Sequence, residues 1–451
     1  MRPTIPSAAA LGAVLLPVGM CIGCSKEQPE SGETAPPTVV TSEHPGRTFE
    51  ELLGIGKDEK EGPKGPTEDL PILSFQSNSE GLPEFGTWRE HPTLCDLDGD
   101  GKADLVASNR EENGLNIWRS VPGGAWVSAR EGIPDDLMYG GSDCADLDGD
   151  GDVDVLFAAH KRGLHTLLNE GQQGWKVLEQ TAEVTFLALD VAIGNLNGDD
   201  IPDAATISQF VERRKGAVGI YFGRGDGTFE YQPQLRNTTG KSDNGVQVEM
   251  ADIDGDGLDD LFLTAEWGCR LLLPRLSAEG EVRLEDRSEG LPEPPFNMGN
   301  ALRSFVPIDV DGDGQLEIAF SSLINHTLPI EERHSLGLRR WNEEAQAWER
   351  FGSGLPDGWA HSDVLTADFD QDGNADLLAI GPGLGAAIYL GDGTGHFEAK
   401  GTLEGTTSGG RGALGDIDGD GRVDVAVING DTKSRPRGGG VKTFLNREEA
   451  W

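Results

Sequence analysis

The chain has 451 residues, longer than a typical single domain, and its 78 acidic against 37 basic side chains leave a net charge of −41. That balance excludes nucleic acid as a default partner, because an acidic surface repels a phosphate backbone. Regularly spaced apolar runs between the acids argue against wholesale disorder, the usual outcome of so much like charge.

From the amino terminus, residues 1–24 read as an export signal, with Arg2 as the positive end and Ala8 to Val18 as an apolar core too short to span a bilayer. The run Cys21-Ile22-Gly23-Cys24-Ser25 resembles a bacterial lipoprotein signal, which would make Cys24 the lipidated residue; plain secretion is the alternative. Either route places the mature chain outside the cytoplasm, as a monomer that meets a membrane only through its anchor. Residues 25–70, rich in Pro, Gly, Glu, Ser and Thr, predict a disordered tether, with a helical turn hinted only at Arg47 to Leu53.

Residues 71–451 are organised by a nine-residue loop that occurs seven times, starting at Asp96, Asp146, Asn195, Asp252, Asp309, Asp368 and Asp416. The intervals, 48 to 59 residues by subtraction, suit the blade of an all-β propeller. Acids at loop positions 1, 3, 5 and 9 with a turn-permitting Gly at position 6 describe a calcium site, since Ca²⁺ seeks roughly 6–8 hard oxygens. The backbone carbonyl at position 7 is expected to add one more. In the first loop these positions are Asp96, Asp98, Asp100, Lys102 and Asp104; in the second, Asp146, Asp148, Asp150, Asp152 and Asp154. The fourth loop offers Asp252, Asp254, Asp256, Leu258 and Asp260, and the fifth Asp309, Asp311, Asp313, Gln315 and Glu317. The sixth offers Asp368, Asp370, Asp372, Asn374 and Asp376, and the seventh Asp416, Asp418, Asp420, Arg422 and Asp424. The third is the weakest: Asn195 and Asn197 replace two acids beside Asp199 and Asp203, and Asp200 stands where Gly is preferred. Up to seven Ca²⁺ ions are expected, with the Asn195 loop binding most loosely or not at all. An EF-hand would need Glu at position 12, where Ala107, Phe157, Thr206, Leu263, Phe320, Ala379 and Val427 stand.

Each loop is expected to join an inner strand to a second strand, with a third and an outer strand following. Outer strands are predicted around Trp126, Trp175, Phe229, Val282, Trp348 and Phe397, six for seven blades. The seventh lies at the other end, because residues 72–83 (ILSFQSNSEGLP) match residues 282–292 (VRLEDRSEGLP). The predicted fold is therefore all-β: a seven-bladed β-propeller of four-stranded antiparallel blades, closed by an N-terminal strand that completes the last blade and removes open edges. Cys95 and Cys144 sit at offsets −1 and −2 from their loops, so period two points them to opposite faces. With Cys269 they are expected as buried thiols, a disulfide between the first two being possible.

The D-x-D-G-D-G-x-x-D loop before an apolar strand, together with G-D-G-T-F turns, resembles the FG-GAP/VCBS-type repeats of integrin α-subunit propellers and of many exported bacterial proteins. That resemblance implies calcium in the loops, and adhesion or ligand binding as the commonest role; some family members decorate polysaccharide-active enzymes. Two functional expectations follow. The first is a non-enzymatic binding, adhesion or scaffold module at the bacterial surface or in the periplasm. The second is a propeller enzyme acting on polysaccharide, lyase-like, which would need a convergent acid/base cluster away from the loops. No such cluster is legible in the sequence, nor is an acyl-transfer motif or a transition-metal spacing of His and Cys. A ligand face for a glycan or acidic protein is expected opposite the calcium loops, on Lys161, Arg162, Arg213, Arg214, Lys215, Arg333, Lys433, Arg435 and Arg437 with Trp88, Tyr139, Phe296 and Trp359. Arg224-Gly225-Asp226 is expected as an ordinary hairpin turn.

Overall fold

The computed structural model describes residues 73–110, 114–121, 124–160, 162–179, 188–208, 218–235, 245–265, 268–292, 302–322, 335–356, 360–382, 384–406, 410–429 and 440–448. Cys24, the tether and most of the expected basic ligand face (Lys161, Arg213, Arg214, Lys215, Arg333, Lys433, Arg435, Arg437, Phe296 and Trp359) lie outside them.

Seven four-stranded antiparallel sheets make up the propeller. Six are simple meanders, such as Thr93–Cys95, Asp104–Asn109, Gly114–Ser120 and Trp126–Ser128 in the first blade. The seventh takes its outer strand from the other end of the chain. Leu73–Ser77 lies antiparallel to Gly440–Glu448, with Phe75 opposite Asn446 and Ser77 opposite Phe444. The expected closure is therefore what the chain does, and it leaves no blade short of a strand.

The second strand of every blade is buried along almost its whole length because both of its faces are covered by neighbouring blades, and after the position 9 acid it is mostly apolar. Asp154–Ala159 and Asp424–Asn429, for example, are buried at all six positions. Position 2 of each loop is the anchor that ties the acidic turn to this core: Leu97, Leu147, Leu196, Ile253, Val310, Phe369 and Ile417 are all buried.

Outer strands are joined by a hook after the strand. In Ser79-Glu80-Gly81-Leu82-Pro83 the carbonyl of Glu80 accepts from Trp126 N at 2.8 Å, and the indole of Trp126 donates to Asn78 O at 2.8 Å. The same arrangement links Glu131 to Trp175 and Glu289 to Trp348, and Ser353 O binds Phe397 N. The hook glycine has φ of +92° at Gly81 and +84° at Gly290, and a Cβ there would lie 2.2 Å from the Trp126 or Trp348 carbonyl oxygen. Only glycine fits such a turn.

Cys95 and Cys144 are joined as a disulfide, Cα atoms 6.6 Å apart, and Cys269 is a buried thiol. The expectation of three thiols is thus corrected. Opposite parity would separate two cysteines in one sheet, but these belong to successive blades. Odd offsets point forward to the next blade, as Thr93 Oγ1 does to Ser142 O at 2.6 Å, so an even offset on the following blade points back to meet them.

Candidate functional site

The loops share a hydrogen-bond scheme written by their sequence. In six of them the position 1 carboxylate accepts from the position 6 amide, as in Gly101 N to Asp96 Oδ2 at 2.8 Å and Gly421 N to Asp416 Oδ2 at 2.7 Å, while Asn195 Oδ1 of the third accepts from Gly198 N at 2.7 Å. The position 5 carboxylate accepts from the position 7 amide in every loop, from Lys102 N to Asp100 through Arg422 N to Asp420. Position 4 needs φ > 0, which Gly supplies six times and Gln371 adopts at +58° in the sixth loop. Asp200 likewise takes +61° at position 6 of the third.

Position 9 has a role that the sequence pattern alone did not show. One carboxylate oxygen accepts from the position 2 amide in all seven loops, at 2.8–3.3 Å. In five loops the other accepts from a third-strand amide, as in Ser120 N to Asp104 at 2.9 Å and Gly391 N to Asp376 at 2.8 Å, and in the fifth Glu317 Oε1 accepts instead from the Arg340 guanidinium at 2.6 Å. The acid thus clips the loop to the blade. In the fourth loop that amide belongs to Pro274 and does not exist, and Asp260 Oδ1 is buried without a hydrogen-bond partner.

Three carboxylates bring oxygens within 4.8 Å of one another in loops that include Asp96, Asp98 and Asp100; Asp146, Asp148 and Asp154; Asp252, Asp254 and Asp260; Asp309, Asp311 and Glu317; and Asp368, Asp370 and Asp376. Burial raises the position 9 acids, Asp104, Asp260, Asp376 and Asp424 to about 7 and Asp154 and Asp203 to about 6, with the loop carboxylates adding to the rise. A divalent cation at the centre would reverse that rise. Buried carboxylate oxygens without hydrogen-bond partners at Asp260, Asp309, Asp311 and Asp418 leave room for one, so the donor set fits a hard cation. The third loop differs: the Asn197 amide donates to Asp199 at 3.0 Å and to Asp203 at 3.4 Å, filling the centre with a neutral donor.

A second cluster lies on the propeller axis, five and three residues before the loops. Offset −5 carries His91, Asp190, Gln247, Asp363 and Arg411, and offset −3 carries Asp143 and Glu249. His91 is 3.5 Å from Asp363 and 3.7 Å from Glu249, across blades 1, 4 and 6. Arg411 donates to Gln247 at 3.0 Å and to Asp363 at 3.3 Å. Burial lowers the basicity of His91, but Asp363, Asp190 and Glu249 outweigh it and lift the imidazole to about 9. Burial pushes Asp143 and Asp190 up to about 7; Asp363, against burial, is held low by His91 and Arg411. This is the convergent acid/base cluster that the sequence did not reveal. Its members come from six blades, and only the repeat offset, read across blades, could have found it.

Of the expected ligand face, the described members do other work. Trp88 is buried against Trp118, its indole donating to Phe85 O. Tyr139 is stacked between His160 and the Arg110 guanidinium, and Arg162 pairs with Asp136 at 2.5 Å. Arg224-Gly225-Asp226 forms the expected hairpin turn, closed by Arg224 N to Thr228 O at 3.0 Å.

Three segments, residues 96–157, 195–263 and 368–427, match the FG-GAP-like repeat. Cartilage acidic protein 1 of Homo sapiens is 24% identical over 367 residues, 74% of this chain and 51% of that protein. Its Xenopus tropicalis counterpart is 23% identical over 358 residues, 72% of this chain and 51% of that one. The chain therefore spans about half the length of the curated relatives it matches. Among solved structures, the BP39L lectin from Burkholderia pseudomallei superposes with a TM-score of 0.53 at 13% identity, over 80% of this chain and 96% of that one. At that identity the likeness is one of fold alone.

Proposed function

We propose that this chain is an extracytoplasmic calcium-binding propeller that serves as a non-enzymatic ligand-binding, adhesion or scaffold module, held to a membrane through Cys24. The observation that carries the calcium part is the pair Asp309 Oδ1 and Asp311 Oδ1, buried carboxylate oxygens with no hydrogen-bond donor, in a loop whose Asp309, Asp311 and Glu317 bring oxygens within 4.8 Å of one another. Six loops would hold the ion through positions 1, 3, 5 and 9, with the Asn195 loop left as a turn. Calcium would supply charge neutralisation and rigidity, so that the opposite face presents its loops on a fixed scaffold. A ligand of the glycan or acidic-protein class suits the basic residues expected there.

The test is thermal melting of the mature chain in calcium and in chelator, followed by a glycan-binding screen under both conditions with product analysis. Because calcium binds the folded form, chelator should lower the melting temperature markedly. Indifference to chelator would overturn the calcium reading. A second reading, acid/base chemistry on a polysaccharide, is favoured by the His91–Asp363–Arg411 cluster; cleavage products lost on His91→Gln would promote it.

A further inference from the structure

Some of the acidic loops already contain a cation of the protein's own. Arg275, on the third strand of blade 4, contacts Asp254 and lies 2.6 Å from Asp256. Arg340, on the third strand of blade 5, is 2.5 Å from Asp311 and 2.6 Å from Glu317. Arg447 of blade 7 contacts Asp418 and lies 3.3 Å from Asp420. Arg119 of blade 1 approaches its loop less closely, 3.7 Å from Asp98. Among the described residues, no arginine or lysine pairs with the acids of the second or sixth loop. Those two loops bring Asp146, Asp148 and Asp154, and Asp368, Asp370 and Asp376, together with, among the described residues, neutral amides alone to offset their charge: backbone N–H groups and, in the sixth, the Asn374 side chain on Asp372.

Two loop classes follow from this difference. We infer that the third-strand arginines are resident counter-cations, which make the fourth, fifth and seventh loops exchangeable metal sites while the second and sixth depend on a bound ion. The inference rests on the calcium reading above. Several carboxylates crowded within 4.8 Å repel one another strongly unless positive charge lies between them. Where a guanidinium already satisfies two of them, an arriving Ca²⁺ gains less and must share the acids with a fixed positive charge. Where none does, the metal removes the whole repulsion. The arginine does not abolish the site, because Asp260 Oδ1 and Asp418 Oδ1 remain without hydrogen bonds beside Arg275 and Arg447. The design would let the propeller stay folded at low calcium on its arginines and two tight ions, while the other loops follow the outside concentration.

Calorimetric calcium titration of the full-length mature chain, with terbium luminescence as a parallel readout, tests this. The expected isotherm has a tight class of two ions and a weaker class that includes the fourth, fifth and seventh loops. Arg275→Met should tighten one weak site by at least roughly tenfold, the effect of removing a unit charge about 6 Å from a divalent ion when bulk water fully screens the pair. Arg447→Met should do the same independently if Arg275→Met fails to fold. Asp148→Asn with Asp370→Asn should delete the tight class and lower the melting temperature in trace calcium. A single class of equivalent sites, or arginine variants with unaltered affinities, would overturn the inference and leave the calcium reading intact. No binding to any loop would instead remove the calcium reading itself.

Discussion

Two junctions between blades show different ways of closing the ring. Between blades 4 and 5 the hook Glu289-Gly290-Leu291 lies against the backbone of Trp348, and Leu291 and Trp348 are both buried. Between blades 6 and 7 the corresponding turn is Leu403-Glu404-Gly405-Thr406. Counting from the residue that bonds the third strand, Arg287 in one case and Leu403 in the other, Thr406 stands where Gly290 does. Its side chain turns back to its own blade, with Oγ1 accepting from Ala386 N and donating to Leu403 O. A cleft of about 750 Å³ remains there, with Phe75, Ile388, Lys400 and Lys442 in its walls. The junction is closed at the inner end instead, where Asp363 accepts from Gly412 N at 2.9 Å and Ser362 donates to Gly410 O at 2.7 Å. A propeller junction can thus be held from the rim or from the axis.

The largest expected effect comes from removing the strand that completes blade 7 and hooks it onto blade 1. Deleting residues 71–83 takes away the outer strand of blade 7 and the hook onto Trp126, and exposes the edge of Gly440–Glu448. Loss of the cooperative melting transition is the expected result; an unchanged melting temperature would show that the ring does not need its closing strand.

The rim mechanism is broken most cleanly at Gly290. Alanine there must adopt φ of +84° and place Cβ 2.2 Å from the Trp348 carbonyl oxygen, so the hook must move. Positive φ and overpacking together cost about 2–4 kcal/mol. Denaturant unfolding should show that loss in the midpoint, and tryptophan emission should redden as Trp348 is uncovered. Wild-type stability in Gly290→Ala would mean that the hook is decoration.

The ring was legible because its information is local and repeated. The loop pattern, the apolar second strands and the sequence shared by residues 72–83 and 282–292 each fix a feature without reference to distant residues. The Cys95–Cys144 bond and the axial cluster were not legible, because both depend on which face of one blade meets the next. A single-sheet parity argument separates the two cysteines, and the axial residues share nothing in sequence but their distance from a loop. Likewise the clip role of position 9 and the arginines over the loops depend on the third strand's register, which periodicity does not set.

The axial mechanism should be pH-dependent. His91 is lifted to about 9 from an ordinary 6.5 by Asp363, Asp190 and Glu249 against the cost of burial, so its stabilising contribution is complete below about pH 6.5 and is lost as pH rises through about 9. Asp143 and Asp190, raised by burial to about 7, change stability in the same direction as they ionise. Asp363, held low by His91 and Arg411, loses its contribution only in acid. The Tm should therefore fall between pH 6.5 and 9, by an amount of order 1–3 kcal/mol in stability, and His91→Gln should flatten the upper part of that fall. A wild-type profile that is flat over this window would remove the axis as the tie for blades 6 and 7.

The smallest effect is expected at Gly405, and it isolates what the hook adds. This glycine also has positive φ, +74°, but a Cβ there would meet only the Nζ of Lys442, the far end of a side chain free to swing into the cleft. Gly405→Ala should therefore cost about 1 kcal/mol, the conformational share alone. The difference between Gly290→Ala and Gly405→Ala then measures backbone-to-backbone contact at the rim, since the two turns share their φ and differ in what lies opposite. Equal losses would mean that the strain of the turn, and not its fit against the neighbouring blade, accounts for both, and the distinction between rim-held and axis-held junctions would fall.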